Sequence, residues 1–231
     1  SVSFTPTTGE IFMNKKWDEY LKVILELDFV QHVHFYTNGI LLHEENMNKL
    51  FNINNLYKLK VTFSTGGSDQ ETYKLMFGKD HFHLVRTNIN NMLLRLKNED
   101  LKMPVSIDIK LPDDYKVSLG ECHNVYNHCN YKFAFIKLRN TFDYFSGLIQ
   151  DTRIKKMKSE DLTKKVSPCN YLQDIRFAAN GDIWLCGCVI SELPGHDELK
   201  VSHISNCDDL VLVKKQQYQI WSKWLNKKRI P

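Results

Sequence analysis

Three short polar segments carry side chains that could hold a compact ligand, and each follows an apolar run. They are TGE at residues 8–10, TNG at 37–39 and STGG at 64–67. Each supplies hydroxyls, an amide or glycine, and Glu10 adds a carboxylate that suits an ammonium group. Together they would form a polar cup for a ligand with several functional groups. Taken alone, each segment is more typical of an ordinary turn in which glycine adopts a positive φ.

Cysteines near the carboxyl end form a second candidate site. Eleven residues separate Cys169 from Gly181, four more precede Cys186, and Cys188 and Cys207 follow. The Asn-Gly dipeptide ending at that glycine predicts a hairpin turn. A hairpin with one cysteine at its base and another on its return strand could hold a metal ion or an iron–sulfur cluster. The alternative, a buried apolar cysteine, applies more to Cys188 and Cys207 than to the first pair.

The segment ECHNVYNHCN contains a third set of possible ligands. Its residue types, at Cys122, His123, His128 and Cys129, match those of a zinc site. The spacing is poor, because adjacent cysteine and histidine residues rarely direct both side chains at one ion. We therefore expect a substrate-facing loop or a surface turn here.

Composition excludes several classes of protein. The chain has 231 residues, 42% of them hydrophobic, and a formal net charge of +4 with scattered basic residues. This pattern argues against nucleic acid as a partner. No apolar run approaches the roughly 20 residues needed to cross a bilayer, and no signal peptide is recognisable. We expect a cytoplasmic protein, in which cysteines are thiols or metal ligands rather than disulfides.

The elements that would position these residues alternate between strand and helix up to about residue 140. Short apolar runs predict strands, and helical spacing of apolar residues separates them. Asp69 could cap the helix QETYKLMF that follows the STGG segment. This alternation predicts βα units with a parallel sheet or barrel. The pattern then changes to a hairpin, a loop and an aromatic helix. We expect two domains, 1–150 and 151–231, with the boundary between residues 150 and 167.

The ordered set of motifs resembles the radical S-adenosylmethionine enzymes, specifically those with a C-terminal SPASM or twitch extension. SFTPTTGEIF resembles the second-strand GGEP motif, FYTNGILL the third-strand TNG motif, and VTFSTGG the fourth strand with its serine. PCNYLQDIRFAANGDIWLCGC is similar to the cysteine signature that opens the extension. The likeness covers nearly the whole chain.

The resemblance implies a fold, cofactors and residue roles. The fold would be α/β, a partial (β/α)6 TIM-like barrel without its first βα unit, with a small cysteine-bearing β-hairpin extension. S-adenosylmethionine would be cleaved reductively to a 5′-deoxyadenosyl radical, with electrons from a donor. The residues implied to bind this cofactor are Gly9, Glu10, Thr37, Asn38, Gly39 and Ser64. Those implied for an auxiliary four-iron four-sulfur cluster are Cys169 and Cys186, with Cys188 and Cys207 as further candidates.

Two departures from the family pattern concern the ends of the chain. The CxxxCxxC loop that binds the radical-generating cluster occurs nowhere in the sequence, and neither does the closing pair of cysteines of the extension. We expect truncation at both ends, and no activity from this chain alone. Isoleucine also replaces the usual proline at position 11.

A second hypothesis is a non-catalytic binding protein, or a zinc-binding interaction module, built on a degenerate barrel. Such a module would use the same four cysteines, and would bind zinc without iron. Under the first hypothesis the substrate is unidentified, since peptides, proteins and sugar-like molecules are all compatible with the resemblance.

Overall fold

The computed structural model of the chain describes two compact units. The first extends from Ser1 to Phe142 and includes Lys155 and Lys156, and the second contains the described residues from 175 onward. The predicted domain boundary after residue 150 lies outside the described residues. Those residues are 1–4, 9–112, 115–127, 130–139, 141–142, 155–156, 175–178, 180–185, 200–206 and 209–226.

The first unit alternates strands with helices, as the sequence predicts. Its strands are β1 (Val2–Phe4), β2 (Val33–Thr37), β3 (Leu59–Gly66), β4 (Val105–Lys110) and β5 (Ala134–Arg139), followed by the short pair β6 (Thr141–Phe142) and β7 (Lys155–Lys156). Its helices are α1 (Trp17–Glu26), α2 (Glu44–Phe51), α3 (Gln70–Phe77), α4 (Phe82–Asn98) and α5 (Leu119–Val125), with 3-10 turns at Ile11–Met13 and Leu56–Lys58.

The five longer strands form one parallel sheet in the order β1-β2-β3-β4-β5. Connections between neighbouring parallel strands are right-handed in nearly all proteins, so this sequential order predicts that the connecting helices lie on one face of the sheet. The predicted α/β class and parallel sheet are confirmed. Closure into a barrel stays a prediction, since the described strands form a sheet with β1 and β5 at its edges.

The two faces of this sheet differ in chemistry. Alternate strand residues on the helix-covered face are apolar and buried, as in Val33, Phe35, Leu59, Val61, Phe63, Val105, Ile107 and Ile109. The residues between them are polar or charged and include His34, Lys60, Thr62, Ser64, Ser106, Asp108, Lys137 and Arg139. Fully covered parallel strands are instead continuously hydrophobic. We call this second surface the polar face.

Helix α1 illustrates how the sequence specifies the covered face. Trp17, Leu21 and Leu25 recur every fourth residue and are all buried. Residues at this spacing lie along one stripe of a helix, which packs on the sheet. Helix α3 begins at a capping box in which Asp69 accepts from the Thr72 N–H at 2.9 Å, as the sequence predicted for Asp69.

Helix α5 corrects the expectation of a loop around Cys122. Ser118 caps this helix by accepting from the Glu121 N–H, while the Glu121 carboxylate accepts from the Ser118 N–H at 2.7 Å. The Cys122 side chain is fully buried in the core. The helix has only seven residues, too few for an apolar period to be recognised, although the Ser-x-x-Glu capping pattern was present in the sequence.

The second unit contains the predicted hairpin and the predicted aromatic helix. Strand β8 (Arg176–Phe177) pairs antiparallel with β9 (Asp182–Trp184), which also pairs with β10 (Lys200–His203). The turn between β8 and β9 includes the predicted Asn-Gly dipeptide. After a 3-10 turn at Ile204–Asn206, helix α6 spans Leu210–Asn226. Among the described residues, no helix combines the length and apolar character that crossing a bilayer requires.

Candidate functional site

Glu10 and the TNG segment meet at one edge of the parallel sheet. All five strands end at this edge, where the loops of βα folds commonly bind ligands. Glu10 lies in the connection after β1, and Thr37 is the last residue of β2. The structure therefore brings together two of the three predicted polar segments.

The Glu10 carboxylate is buried, with 9% of the residue exposed. Its Oε2 accepts a hydrogen bond from the backbone N–H of Asn38 at 2.8 Å. Its Oε1 is also buried and has no hydrogen-bond partner among the described residues. Burial raises the pKa of Glu10 above its ordinary value. Nearby donors oppose that shift without reversing it: the Thr37 hydroxyl and the backbone N–H groups of Asn38, Phe12 and Ile11.

The TNG segment is held by its own side chains. The Thr37 Oγ1 accepts from the Gly39 N–H at 3.0 Å, and the Asn38 Oδ1 accepts from the Ile40 N–H at 2.9 Å. Gly39 has φ +77°, and a Cβ there would lie 3.3 Å from the Phe63 ring. The predicted side chains of Thr37 and Asn38 thus serve the turn, and the turn directs the Asn38 N–H toward Glu10.

Asn88 is a positioning residue that sequence reasoning missed. From helix α4, its buried amide donates to the carbonyl of Gly39 at 2.8 Å and to that of Ile40 at 3.3 Å. These two hydrogen bonds hold the TNG turn in place. The available signal was its position in the buried stripe of α4, between Val85 and Met92, where an apolar residue is expected.

Ser64 lies near this site by strand register. Thr37 pairs with Phe63, so Ser64 is level with Asn38 on the neighbouring strand. Ser64 is half-buried on the polar face, opposite Asp108 of β4. Among the described residues, no hydrogen bond is recorded between Ser64 and either Glu10 or the TNG turn. Its predicted role in ligand binding stays a prediction.

A charged cluster on the polar face was not predicted. Asp108 is buried, and its two oxygens accept from the Ser106 hydroxyl at 2.8 Å and from the Arg139 Nε at 2.9 Å. Because Asp108 and Arg139 are 31 residues apart, only the register of β4 and β5 reveals their pairing.

His34 extends this cluster across the sheet. Its Nε2 lies 2.7 Å from the Thr62 hydroxyl. Burial lowers the pKa of His34 to about 4, and the positive charges of Lys60 and Lys137 act in the same direction. The imidazole is therefore neutral at neutral pH, and we interpret it as a hydrogen-bonding residue of the polar face.

The predicted metal ligands Cys169, Cys186, Cys188 and Cys207 lie outside the described residues. His128 and Cys129, two of the possible zinc ligands in ECHNVYNHCN, also lie outside the described residues. In the same segment, burial raises the pKa of the Cys122 thiol. Within the part of the chain that the structure describes, no group of three or more histidine, cysteine or acidic residues could hold a metal ion. Ligation by the four cysteines stays a prediction.

No protein-family model matches the chain, and no curated protein matches its sequence. The functional interpretation therefore depends on the residues and on their geometry.

Proposed function

We propose that the chain is part of a radical S-adenosylmethionine oxidoreductase or maturase and binds S-adenosylmethionine at the carboxyl edge of its sheet. The single observation that supports this most is the buried Glu10 carboxylate, whose Oε1 has no hydrogen-bond partner among the described residues. A buried carboxylate without a counter-charge is costly. A ligand ammonium group would offset that cost and complete its hydrogen bonding.

The surrounding residues fit such a ligand. Gly9 and Glu10 would contact the ammonium group of S-adenosylmethionine, and the TNG segment, residues 37–39, would line the binding pocket. The Asn38 backbone N–H, already on Oε2, orients the carboxylate so that Oε1 remains for the ligand. Ser64, level with Asn38 on the next strand, would reach its ribose or carboxylate.

The sequential strand order also supports a partial (β/α)6 barrel. A sheet with helices on one face and polar residues on the other is the layout of a barrel wall. In such a wall the polar face would line the interior of the barrel. Glu10 would then lie at the carboxyl end of that barrel, and the substrate would lie over the polar face.

Cys169 and Cys186, with Cys188 and Cys207 as further candidates, would hold an auxiliary four-iron four-sulfur cluster. When bound, S-adenosylmethionine and a reduced cluster supply hydrogen-atom abstraction, which requires an electron donor. Because this chain has no CxxxCxxC loop, the proposal gives its described residues the tasks of binding and orienting ligands. An unidentified peptide, protein or sugar-like substrate and a cytoplasmic location belong to the same proposal.

Equilibrium dialysis of labelled S-adenosylmethionine against the anaerobically purified chain tests the proposal. We expect measurable binding that Glu10→Gln weakens by about tenfold or more, as the loss of a charge-assisted hydrogen bond predicts. Glu26→Gln makes the same chemical change at an exposed position of α1 and should leave the affinity unchanged.

Metal analysis of the same preparation separates the two hypotheses. Iron with S-adenosylmethionine binding supports the radical enzyme. Stoichiometric zinc without iron, together with no S-adenosylmethionine binding, would support the zinc-binding module instead. Equal binding by Glu10→Gln and the unmodified chain would overturn the role of Glu10.

A further inference from the structure

The polar face of the sheet concentrates positive charge. Besides the neutral His34 and Tyr36, the strands of this face carry five ionisable side chains. Asp108 is acidic, and the other four are basic: Lys60, Lys110, Lys137 and Arg139. The strand register pairs Lys110 with Arg139 and Asp108 with Lys137. Since partners in neighbouring strands are about 4.8 Å apart, the cations at the carboxyl end of β4 and β5 are immediate neighbours.

Asp108 forms an ion pair with Arg139, but one carboxylate cannot balance four cations. One oxygen accepts from Ser106 and the other from the Nε of Arg139, so its hydrogen-bonding sites are directed within the cluster. The Arg139 side chain remains 48% exposed. Among the described residues, no hydrogen bond to its two Nη groups is recorded. These Nη donors form a planar fork that suits an oxyanion.

Lys60 and Lys137 are held on the same surface by Phe135. The ammonium nitrogens of Lys60 and Lys137 lie 5.1 Å and 5.4 Å from the centre of its ring. Both contacts are cation–π interactions, which position a charge without neutralising it. A ring with two lysines near it therefore concentrates positive charge on the same face of the sheet as Arg139.

The cations also perturb one another. Burial lowers the pKa of Lys60, and the neighbouring Lys137 charge lowers it further. Burial likewise lowers the pKa of Lys110, with Asp108 opposing and Arg139 reinforcing the shift. The ammonium groups of Lys60 and Lys110 are therefore less stable in their charged form here than in water, and a nearby anion would offset part of that cost.

We infer that the polar face binds the oxyanion group, phosphate or carboxylate, of a small molecule, with Arg139 and Lys137 as its main contacts. Binding of the anion itself follows from the geometry of the cations. Its assignment to a substrate depends on the proposed function, under which the polar face and Glu10 belong to one site. Of the compatible substrates, those with an acidic group are then favoured.

Isothermal titration calorimetry at low ionic strength tests the inference with inorganic phosphate, pyrophosphate and citrate as probes. We expect saturable binding of at least one probe, weakening as salt is added because exposed charges are screened. Tighter binding of pyrophosphate than of citrate would identify a phosphate-bearing ligand, and the reverse order a carboxylate-bearing one.

Charge-neutralising variants locate the site. Lys137→Gln should weaken binding of the preferred probe by about tenfold, or 1.4 kcal/mol. Lys132→Gln is the matched control, because Lys132 also lies over a phenylalanine ring, that of Phe133 at 5.0 Å, but precedes β5. Its affinity should stay within about twofold of the unmodified chain.

Arg139→Gln should also weaken binding by about tenfold, and Arg139→Lys should recover less than half of the lost free energy if the fork matters. Arg139→Gln leaves Asp108 buried without its ion pair, so a variant that fails to fold is replaced by Arg139→Gln combined with Asp108→Asn. No saturable binding of any probe, or equal loss in Lys132→Gln and Lys137→Gln, would overturn the inference.

S-adenosylmethionine binding measured in the same variants keeps the two proposals separable. Absence of anion binding to the unmodified chain, with intact Glu10-dependent S-adenosylmethionine binding, contradicts only this inference. Anion binding that depends on Lys137 without any S-adenosylmethionine binding contradicts only the proposed function.

Discussion

The backbone N–H of Asn38 donates to the Oε2 of Glu10 at 2.8 Å and joins two strand ends that are 28 residues apart in the sequence. The bond uses one carboxylate oxygen and leaves the other, Oε1, buried without a partner among the described residues. A fold optimised for stability alone would not retain such a group. The pair therefore marks the position where, under the proposed function, a bound ammonium group would offset a cost in stability.

Glu10→Gln should stabilise the protein at neutral pH. Because the folded-state pKa of Glu10 is raised from 4.5, the folded state holds its proton more tightly than the unfolded state. The free energy of unfolding therefore falls as pH rises above about 4.5 toward the raised folded pKa. The variant lacks this loss and should be more stable by about 0.5–2 kcal/mol at pH 7.

Urea denaturation of both proteins between pH 4.5 and pH 8 measures the effect. The difference in the free energy of unfolding should be largest at high pH and shrink toward pH 4.5. Glu26→Gln makes the same chemical change at an exposed position and serves as the matched control. A Glu10→Gln protein that is less stable at pH 7 would show that the carboxylate has a partner that stabilises the fold.

Asn88→Ala should destabilise the first unit. The substitution leaves the Gly39 carbonyl without its 2.8 Å donor beneath the TNG turn. An unsatisfied buried acceptor costs about 1–3 kcal/mol. Asn91→Ala changes the same residue type on an exposed position of α4, so the gain in helix propensity is equal in both variants.

Thermal denaturation of the two variants checks this expectation. Asn91→Ala should unfold at or slightly above the temperature of the unmodified chain, and Asn88→Ala several degrees below it. S-adenosylmethionine binding should weaken in Asn88→Ala alone, because its turn presents the Asn38 N–H to Glu10. Identical behaviour of the two variants would contradict a positioning role for Asn88.

The sequence allowed much of the fold to be predicted because each strand and helix carries its own period. Helix α3 was predicted with its Asp69 cap, since the cap and its partner Thr72 are three residues apart. Helix α5 was missed because it is short, although its Ser-x-x-Glu pattern was visible.

The site was only half predictable, for a physical reason. Glu10 and Asn38 could be proposed from the chemistry of strand-end loops, which all lie at one edge of a parallel sheet. The ion pair between Asp108 and Arg139 depends on the register of two strands, which side-chain periodicity does not encode. Asn88 depends in turn on how helix α4 is rotated against the TNG turn.

Gly67→Ala should be more destabilising than Gly78→Ala. Both glycines have positive φ, +68° and +71°, so both substitutions incur the same strain of about 1–2 kcal/mol. A Cβ at Gly78 meets nothing within 4 Å, whereas one at Gly67 would lie 2.7 Å from the Thr72 carbonyl carbon and nearer still to the Tyr73 backbone nitrogen.

Comparing the two alanine variants by urea denaturation isolates the clash. We expect Gly67→Ala to lose at least about 2 kcal/mol more than Gly78→Ala, because the backbone at the start of α3 must move to accommodate the methyl group. Equal losses would mean that the loop relaxes freely and that close approach of backbone does not require glycine at position 67.

His34→Gln should make the protein less sensitive to acid. The pKa of His34 is lowered from 6.5 to about 4 in the folded state, chiefly by burial. Above pH 6.5 neither state is protonated at this ring, and between pH 6.5 and 4 only the unfolded state gains the proton. The stability that His34 contributes is therefore lost as pH falls through that window, and constant outside it.

Glutamine can keep the hydrogen bond to the Thr62 hydroxyl but does not titrate, so the variant lacks that loss. From pH 7 to pH 4, the unmodified chain should lose more free energy of unfolding than His34→Gln. We expect the extra loss to be on the order of 1 kcal/mol once solvent screening is allowed for. His32→Gln replaces an exposed histidine next to the same strand and serves as the matched control. A parallel acid dependence in all three proteins would place the acid-sensitive group elsewhere, and would remove His34 as the neutral neighbour of the cationic polar face.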